Sequence, residues 1–144
     1  MEAQDRILIV DDENEILNTY RNFFVKRGFS VDVAHDGIEG LEKLRTRQFD
    51  VAIVDLKMPR SNGLEMIRQA NTESIDTEMI ILTGHGEKED AIATINLGYS
   101  VVGAWFEKSG IEMENLLAKV KQLLEGIPLE EVQRILAVIP EEGL

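Results

Sequence analysis

Short aliphatic runs alternate along this chain with stretches whose apolar positions recur at helical spacing. Ile7-Leu8-Ile9-Val10 stops abruptly at Asp11, the pattern of a strand buried on both faces. Ile16, Leu17, Tyr20, Phe23 and Phe24 then fall on one helical face, and Gly28 ends it. Residues 30–34 alternate apolar and polar with Asp32 facing out, as a half-buried edge strand does. Ile38, Leu41 and Leu44 mark a second helix, and Val51-Ala52-Ile53-Val54 is another buried strand ending on an acid, Asp55. A loop with Pro59 and Gly63 leads into a third helix through Leu64 and Ile67. Met79-Ile80-Ile81-Leu82 predicts a fourth strand, and Ala91, Ile92 and Ile95 a fourth helix. Residues 101–106 predict a fifth strand, and Leu116, Leu117, Val120, Leu123 and Leu124 a fifth helix.

Five strand–helix units in series imply an α/β fold, a parallel sheet with helices on both faces. The continuous apolar runs of strands one, three and four make them central, and strand two an edge. That ordering is the doubly wound 2-1-3-4-5 arrangement, whose ligands bind beyond the carboxyl ends of the strands. Asp11, Asp12 and Asp55 are therefore expected at one rim. Residues 1–125 form this domain. Residues 126–144 follow as a C-terminal extension, where Pro128 precedes an apolar stripe of Leu129, Val132, Ile135, Leu136 and Ile139, an extra short amphipathic helix.

Composition narrows the function. The chain has 144 residues, 44% of them apolar and 29% charged, enough for one ordinary globular core. It has no Cys, which suits a reducing cytosol. Its net charge of −12 repels nucleic-acid backbones and anionic lipid, and no basic patch offsets it. No apolar run approaches the length of a membrane-spanning helix. Met1-Glu2-Ala3-Gln4-Asp5 carries acid where a signal peptide carries base. A cytoplasmic protein without direct nucleic-acid or membrane contact is expected.

Three carboxylates at one rim repel unless a positive charge sits among them. Hard oxygen donors of this kind suit Mg²⁺. Asp11 and Asp12 taken alone could simply cap the first helix; Asp55 on the adjacent central strand favours the metal. Thr83 ends strand four and Lys108 ends strand five. A hydroxyl, an ammonium and a metal facing one carboxylate are what phosphoryl transfer to that carboxylate requires. His35 and His85 fall in expected loops and suggest no site by their spacing.

On these residues the chain resembles the receiver domain of two-component response regulators, which has the flavodoxin-like order named above. The resemblance covers about residues 5–125. It is carried by Ile7-Leu8-Ile9-Val10-Asp11-Asp12-Glu13, by Val54-Asp55-Leu56-Lys57-Met58-Pro59 with Gly63, by Leu82-Thr83-Gly84, and by Phe106-Glu107-Lys108. It implies that Asp55 accepts a phosphoryl group from the histidine of a sensor kinase or phosphotransfer protein. It implies that Asp11, Asp12, Asp55 and the backbone carbonyl of Lys57 organise Mg²⁺. It also implies that Thr83 and an aromatic on strand five, Trp105 by position with Phe106 as its neighbouring alternative, report the phosphorylated state to a downstream protein. Any hydrolysis of the acyl phosphate would be slow self-dephosphorylation, not enzymatic turnover.

Two departures stand out. Ser109 follows Lys108 where receivers usually carry Pro, so the tertiary amide that favours a cis bond there is missing. Residues 98–104 also make the approach to strand five about three residues longer than is usual in the family the chain resembles, which puts the register of Trp105 at issue. Competing readings are an aspartyl-phosphate-forming phosphatase, a flavodoxin-like nucleotide binder, and a degenerate receiver acting as a scaffold. The phosphatase usually carries Asp-x-Asp after strand one, whereas this chain has Asp11-Asp12. The nucleotide binder needs a phosphate-friendly first loop, and the complete acid, Thr and Lys set argues against degeneracy. Output is expected through protein–protein contact, with a homodimer the foremost form, because the 129–139 stripe continues from the fifth helix and must be covered by something.

Overall fold

The computed structural model describes residues 4–56, 63–84, 89, 102–108 and 110–125. Strands β1 (Arg6–Val10), β2 (Ser30–Ala34), β3 (Val51–Asp55), β4 (Glu78–Thr83) and β5 (Val102–Glu107) form one sheet. The described helices are α1 (Asn14–Lys26), α2 (Gly37–Thr46), α3 (Gly63–Thr72) and α4 (Met113–Glu125), the last being the predicted fifth helix. The predicted helix at Ala91, Ile92 and Ile95 and the 126–144 extension lie outside the described residues.

The sheet is wholly parallel in the order β2-β1-β3-β4-β5, as expected. Period-two alternation along each strand divides the core into two layers. Leu8, Val10, Ala52, Val54, Met79 and Ile81 face Leu44 of α2 and Met66, Ile67 and Ala70 of α3. Ile7, Ile9, Val51, Ile53, Ile80 and Leu82 face Leu17, Tyr20 and Phe24 of α1 and Leu116, Leu117 and Val120 of α4. β1, β3 and β4 are covered on both sides, which is why they read as unbroken apolar runs.

Helix attachments are specific. Arg27 at the end of α1 stacks on Phe23, 3.5 Å from the ring centroid, and reaches Glu114 of α4 at 3.2 Å. Arg45 of α2 grips Glu73, just beyond α3, with two hydrogen bonds at 2.7 and 2.5 Å. At the β2 edge, Asp32 does not stand free in solvent. It pairs with Lys43 at 3.0 Å and with Arg47, so the outward acid anchors α2 over the edge strand.

β5 departs from a simple ladder. Val102 sits opposite Met79 and Ala104 opposite Ile80, which leaves Gly103 as an extra residue in a β-bulge. A Cβ at Gly103 would lie 2.7 Å from Leu123 Cδ2, so the bulge also seats α4 against the strand. The bulge takes up one residue of the lengthened approach and sets Trp105 opposite Ile81 and Phe106 opposite Leu82.

Candidate functional site

The carboxyl ends of β1, β3, β4 and β5 meet at one rim. Asp11 follows β1 directly, and its backbone N–H donates to the Ala34 carbonyl oxygen at 3.1 Å, holding the exit from the strand against β2. Its Oδ1 accepts the Glu13 N–H at 2.9 Å. The helix-capping alternative is thus partly realised, although Glu13 itself is the N-cap of α1 and makes no side-chain cap. Asp55 is the last residue of β3, opposite Leu82, and only 3% exposed. The next residue, Leu56, hydrogen-bonds to Leu82 O at 3.1 Å and accepts the Gly63 N–H at 2.7 Å, so the chain returns to the strand end as α3 begins.

Carboxylate oxygens of Asp11, Asp12 and Asp55 all lie within 4.8 Å of one another, with Asp11 and Asp55 buried and Asp12 exposed. Lys108 is the cation set against them. Its backbone N–H donates to Thr83 O at 2.7 Å, which fixes its start on β4. Its Nζ reaches Asp11 Oδ2 at 3.1 Å, Glu13 Oε1 at 3.1 Å and Asp55 Oδ2 at 3.2 Å. Burial pulls the ammonium toward its neutral form, but Asp11, Asp55 and Glu13 outweigh that and raise its pKa, so Lys108 stays charged.

One ammonium cannot balance this set. Asp11 Oδ2 is buried and, despite its ion pair with Lys108, lacks a hydrogen bond of acceptable geometry. Burial raises the Asp11 pKa, against the opposing pull of the Glu13 N–H and of Lys108. The same charge reaches Tyr20 of α1, whose phenol is pushed up to about 12 by burial first and by Asp11 second. A buried, orphaned carboxylate oxygen beside two more carboxylates is the donor set that a hard divalent cation satisfies. The residues present fit Mg²⁺.

Thr83 ends β4, fully buried, and its hydroxyl donates to Phe106 O at 3.3 Å. Alternation places Thr83 and Trp105 on the same sheet face, one step apart diagonally, since Ile81 opposes Trp105 and Thr83 opposes Glu107. Trp105 is half-buried against the α2–α3 core layer, whereas Phe106 packs in the α1–α4 layer. Asp11, Asp12, Asp55 and Lys108 therefore form one cluster, with Thr83 joined to Lys108 through the backbone and Trp105 packed against the α2–α3 core layer. Lys57, Ser109 and His85 lie outside the described residues; His35 is exposed and bonded to Glu39. Glu13 is the residue to which the sequence assigned no role, although it stands directly after Asp11-Asp12.

Comparison with known proteins meets this geometry. The model of the response regulator receiver domain family matches residues 7–120. The chain belongs to that family. Among curated relatives, the receiver is 31% identical over 126 residues to the response regulator MprA of Mycobacterium ulcerans, covering 88% of this chain and 53% of the relative. It is 29% identical over 133 residues to MprA of Mycobacterium tuberculosis strain H37Rv, covering 92% and 56%. The chain spans about half the length of the curated relatives it matches. Among solved structures, a CheY-like receiver domain protein from Methanospirillum hungatei aligns with a TM-score of 0.78 at 29% identity, over 86% of this chain and 96% of that one. The response regulator TrrA from Thermotoga maritima, solved in complex with Mg²⁺-BeF, aligns with a TM-score of 0.73 at 29% identity, over 84% and 100%. Among the described residues of this receiver, no helix is long and apolar enough to cross a membrane.

Proposed function

We propose that Asp55 accepts a phosphoryl group from the phosphohistidine of a sensor kinase or phosphotransfer protein, and that the modified domain signals through a changed protein-binding surface. The observation that carries this reading is the contact of Lys108 Nζ with Asp55 Oδ2 at 3.2 Å inside the cluster of Asp11, Asp12 and Asp55. An Asp55 carboxylate oxygen attacks phosphorus, and the P–N bond to the donor histidine breaks as the P–O bond forms. The leaving imidazole nitrogen keeps the electron pair and takes a proton from solvent. Lys108 neutralises charge on the transferred oxygens, and the Thr83 hydroxyl turns to donate to one of them.

Asp11, Asp12 and Asp55, with the Lys57 carbonyl that the family resemblance implies, would hold Mg²⁺, which when bound supplies further neutralisation of those oxygens. The capture of TrrA with Mg²⁺-BeF supports carrying that requirement to this chain. Residues 1–125 act as the receiver, and 126–144 continue from α4 as an extension. With a net charge of −12, the chain signals to a protein, foremost a second copy of itself, without direct contact to nucleic acid. The product stays attached to Asp55 until it hydrolyses, so the domain is a switch in the cytoplasm and not a turnover enzyme.

Incubation with acetyl phosphate and Mg²⁺ tests the reading by intact mass. One phosphoryl group is expected on the wild type and none on Asp55→Asn. Equal labelling of the two contradicts it, and continuous turnover of an added phosphoester would identify a phosphatase instead.

A further inference from the structure

We propose that Glu13 is a positioning residue, a releasable clamp that holds Lys108 in the unphosphorylated domain and yields it to the incoming phosphoryl group. This rests on Asp55 being the phosphoacceptor. An ammonium has three N–H donors. Three carboxylates surround Lys108 Nζ, from Asp11 and Glu13 at 3.1 Å and from Asp55 at 3.2 Å. Glu13 and Asp55 accept hydrogen bonds from two of these donors while Asp11 pairs by charge alone, so a phosphoryl oxygen entering this crowded ammonium competes with all three.

The three differ in what displacement costs. Asp11 is fully buried, with Oδ1 tied to the Glu13 N–H, so its other oxygen has nowhere to be rehydrated. Asp55 is the acceptor itself and must remain. The Glu13 side chain is 58% exposed, and on leaving Lys108 it regains water at little cost. Its backbone N–H can stay on Asp11 and its carbonyl on the Leu17 N–H while the side chain swings, because the contact with Lys108 is made by the side chain alone. Glu13 is the ligand that leaves.

Two effects on rate follow, both in one direction. Glu13 occupies a donor that the transferred oxygens can use, and its charge at the rim opposes an anionic phosphodonor. Removing the carboxylate while keeping the side chain's shape should speed labelling of Asp55. The gain should be about two- to fivefold, the range open to one exposed ion pair.

The test measures labelling of the full chain by acetyl phosphate with Mg²⁺, as a function of donor concentration, for wild type, Glu13→Gln, Glu13→Asp and Glu15→Gln. Glu15 is exposed in the first turn of α1 and carries the same charge, so it controls for general repulsion. The expected result is a higher maximal rate for Glu13→Gln, with Glu15→Gln close to wild type and Glu13→Asp in between. Labelling of Glu13→Gln at or below the wild-type rate overturns the clamp. An equal gain in Glu15→Gln, confined to the half-saturating donor concentration, overturns it in favour of bulk charge. Failure of the wild type to label on Asp55 overturns the underlying function and the clamp with it, and the Asp55→Asn control identifies that case.

Discussion

The Thr83 hydroxyl donates to the Phe106 carbonyl oxygen across the last two strands, at 3.3 Å. This length is at the weak end for an O–H donor, so the hydroxyl is held but easily redirected. If it turns toward a phosphoryl group as proposed, the Phe106 carbonyl loses this bond next to Trp105. Thr83→Ala should therefore still accept a phosphoryl group but transmit it poorly. Trp105 is the chain's single Trp, so its fluorescence reads the change directly. Phosphorylation should shift the emission of wild type and Thr83→Ser and leave that of Thr83→Ala nearly unchanged. A full shift in labelled Thr83→Ala would remove Thr83 from the relay.

Asp11 sets a pH dependence with a definite sign. Burial raises its pKa in the folded state above the ordinary value of 3.8. Its contribution to stability is therefore fully present below that value and lost as pH rises through the folded pKa. At neutral pH, without a divalent cation, the charged Asp11 costs stability. Asp11→Asn should raise Tm in a chelator at pH 7, and the advantage should shrink as pH falls toward 4. The same variant should bind Mg²⁺ at least about tenfold more weakly by calorimetric titration. A lower Tm than wild type at pH 7 without metal would show that Asp11 is structural in its charged form.

Gly63 is fixed by the backbone of Asp55. A Cβ there would lie 2.2 Å from Asp55 O and 2.8 Å from Val54 Cγ1, and the first of these atoms cannot move aside without moving the strand end. Gly63→Ala should cost about 1–3 kcal/mol by denaturant unfolding. It should also slow labelling of Asp55 more than the lost stability explains, because the clash displaces the acceptor itself. Unchanged stability with unchanged labelling would mean that α3 shifts freely against β3.

Much of this was legible in the chain. Ile7-Leu8-Ile9-Val10 and Val51-Ala52-Ile53-Val54 read as central strands because both their faces are covered, and the acids that end them came out as neighbours. The β2 edge was legible from its alternation, but the pairing of Asp32 with Lys43 and Arg47 was not, since it depends on how α2 crosses the strand. Trp105 was legible from its place three residues before Lys108, but its register was open because the bulge at Gly103, which takes up an extra residue upstream, leaves no mark in the alternation. The hold of Glu13 on Lys108 joins residues 95 apart through two flexible side chains, and no local pattern encodes such a contact.

If Asp55 is the phosphoacceptor, mapping the modified residue will find the phosphoryl group there. Borohydride reduces an aspartyl phosphate to homoserine, so treating the labelled domain and sequencing its peptides by mass spectrometry identifies the acceptor. Homoserine is expected at position 55, with unmodified Asp at positions 11 and 12. Reduction at Asp11 or Asp12, or a phosphoryl group recovered on His35 or His85, would contradict Asp55 as the acceptor.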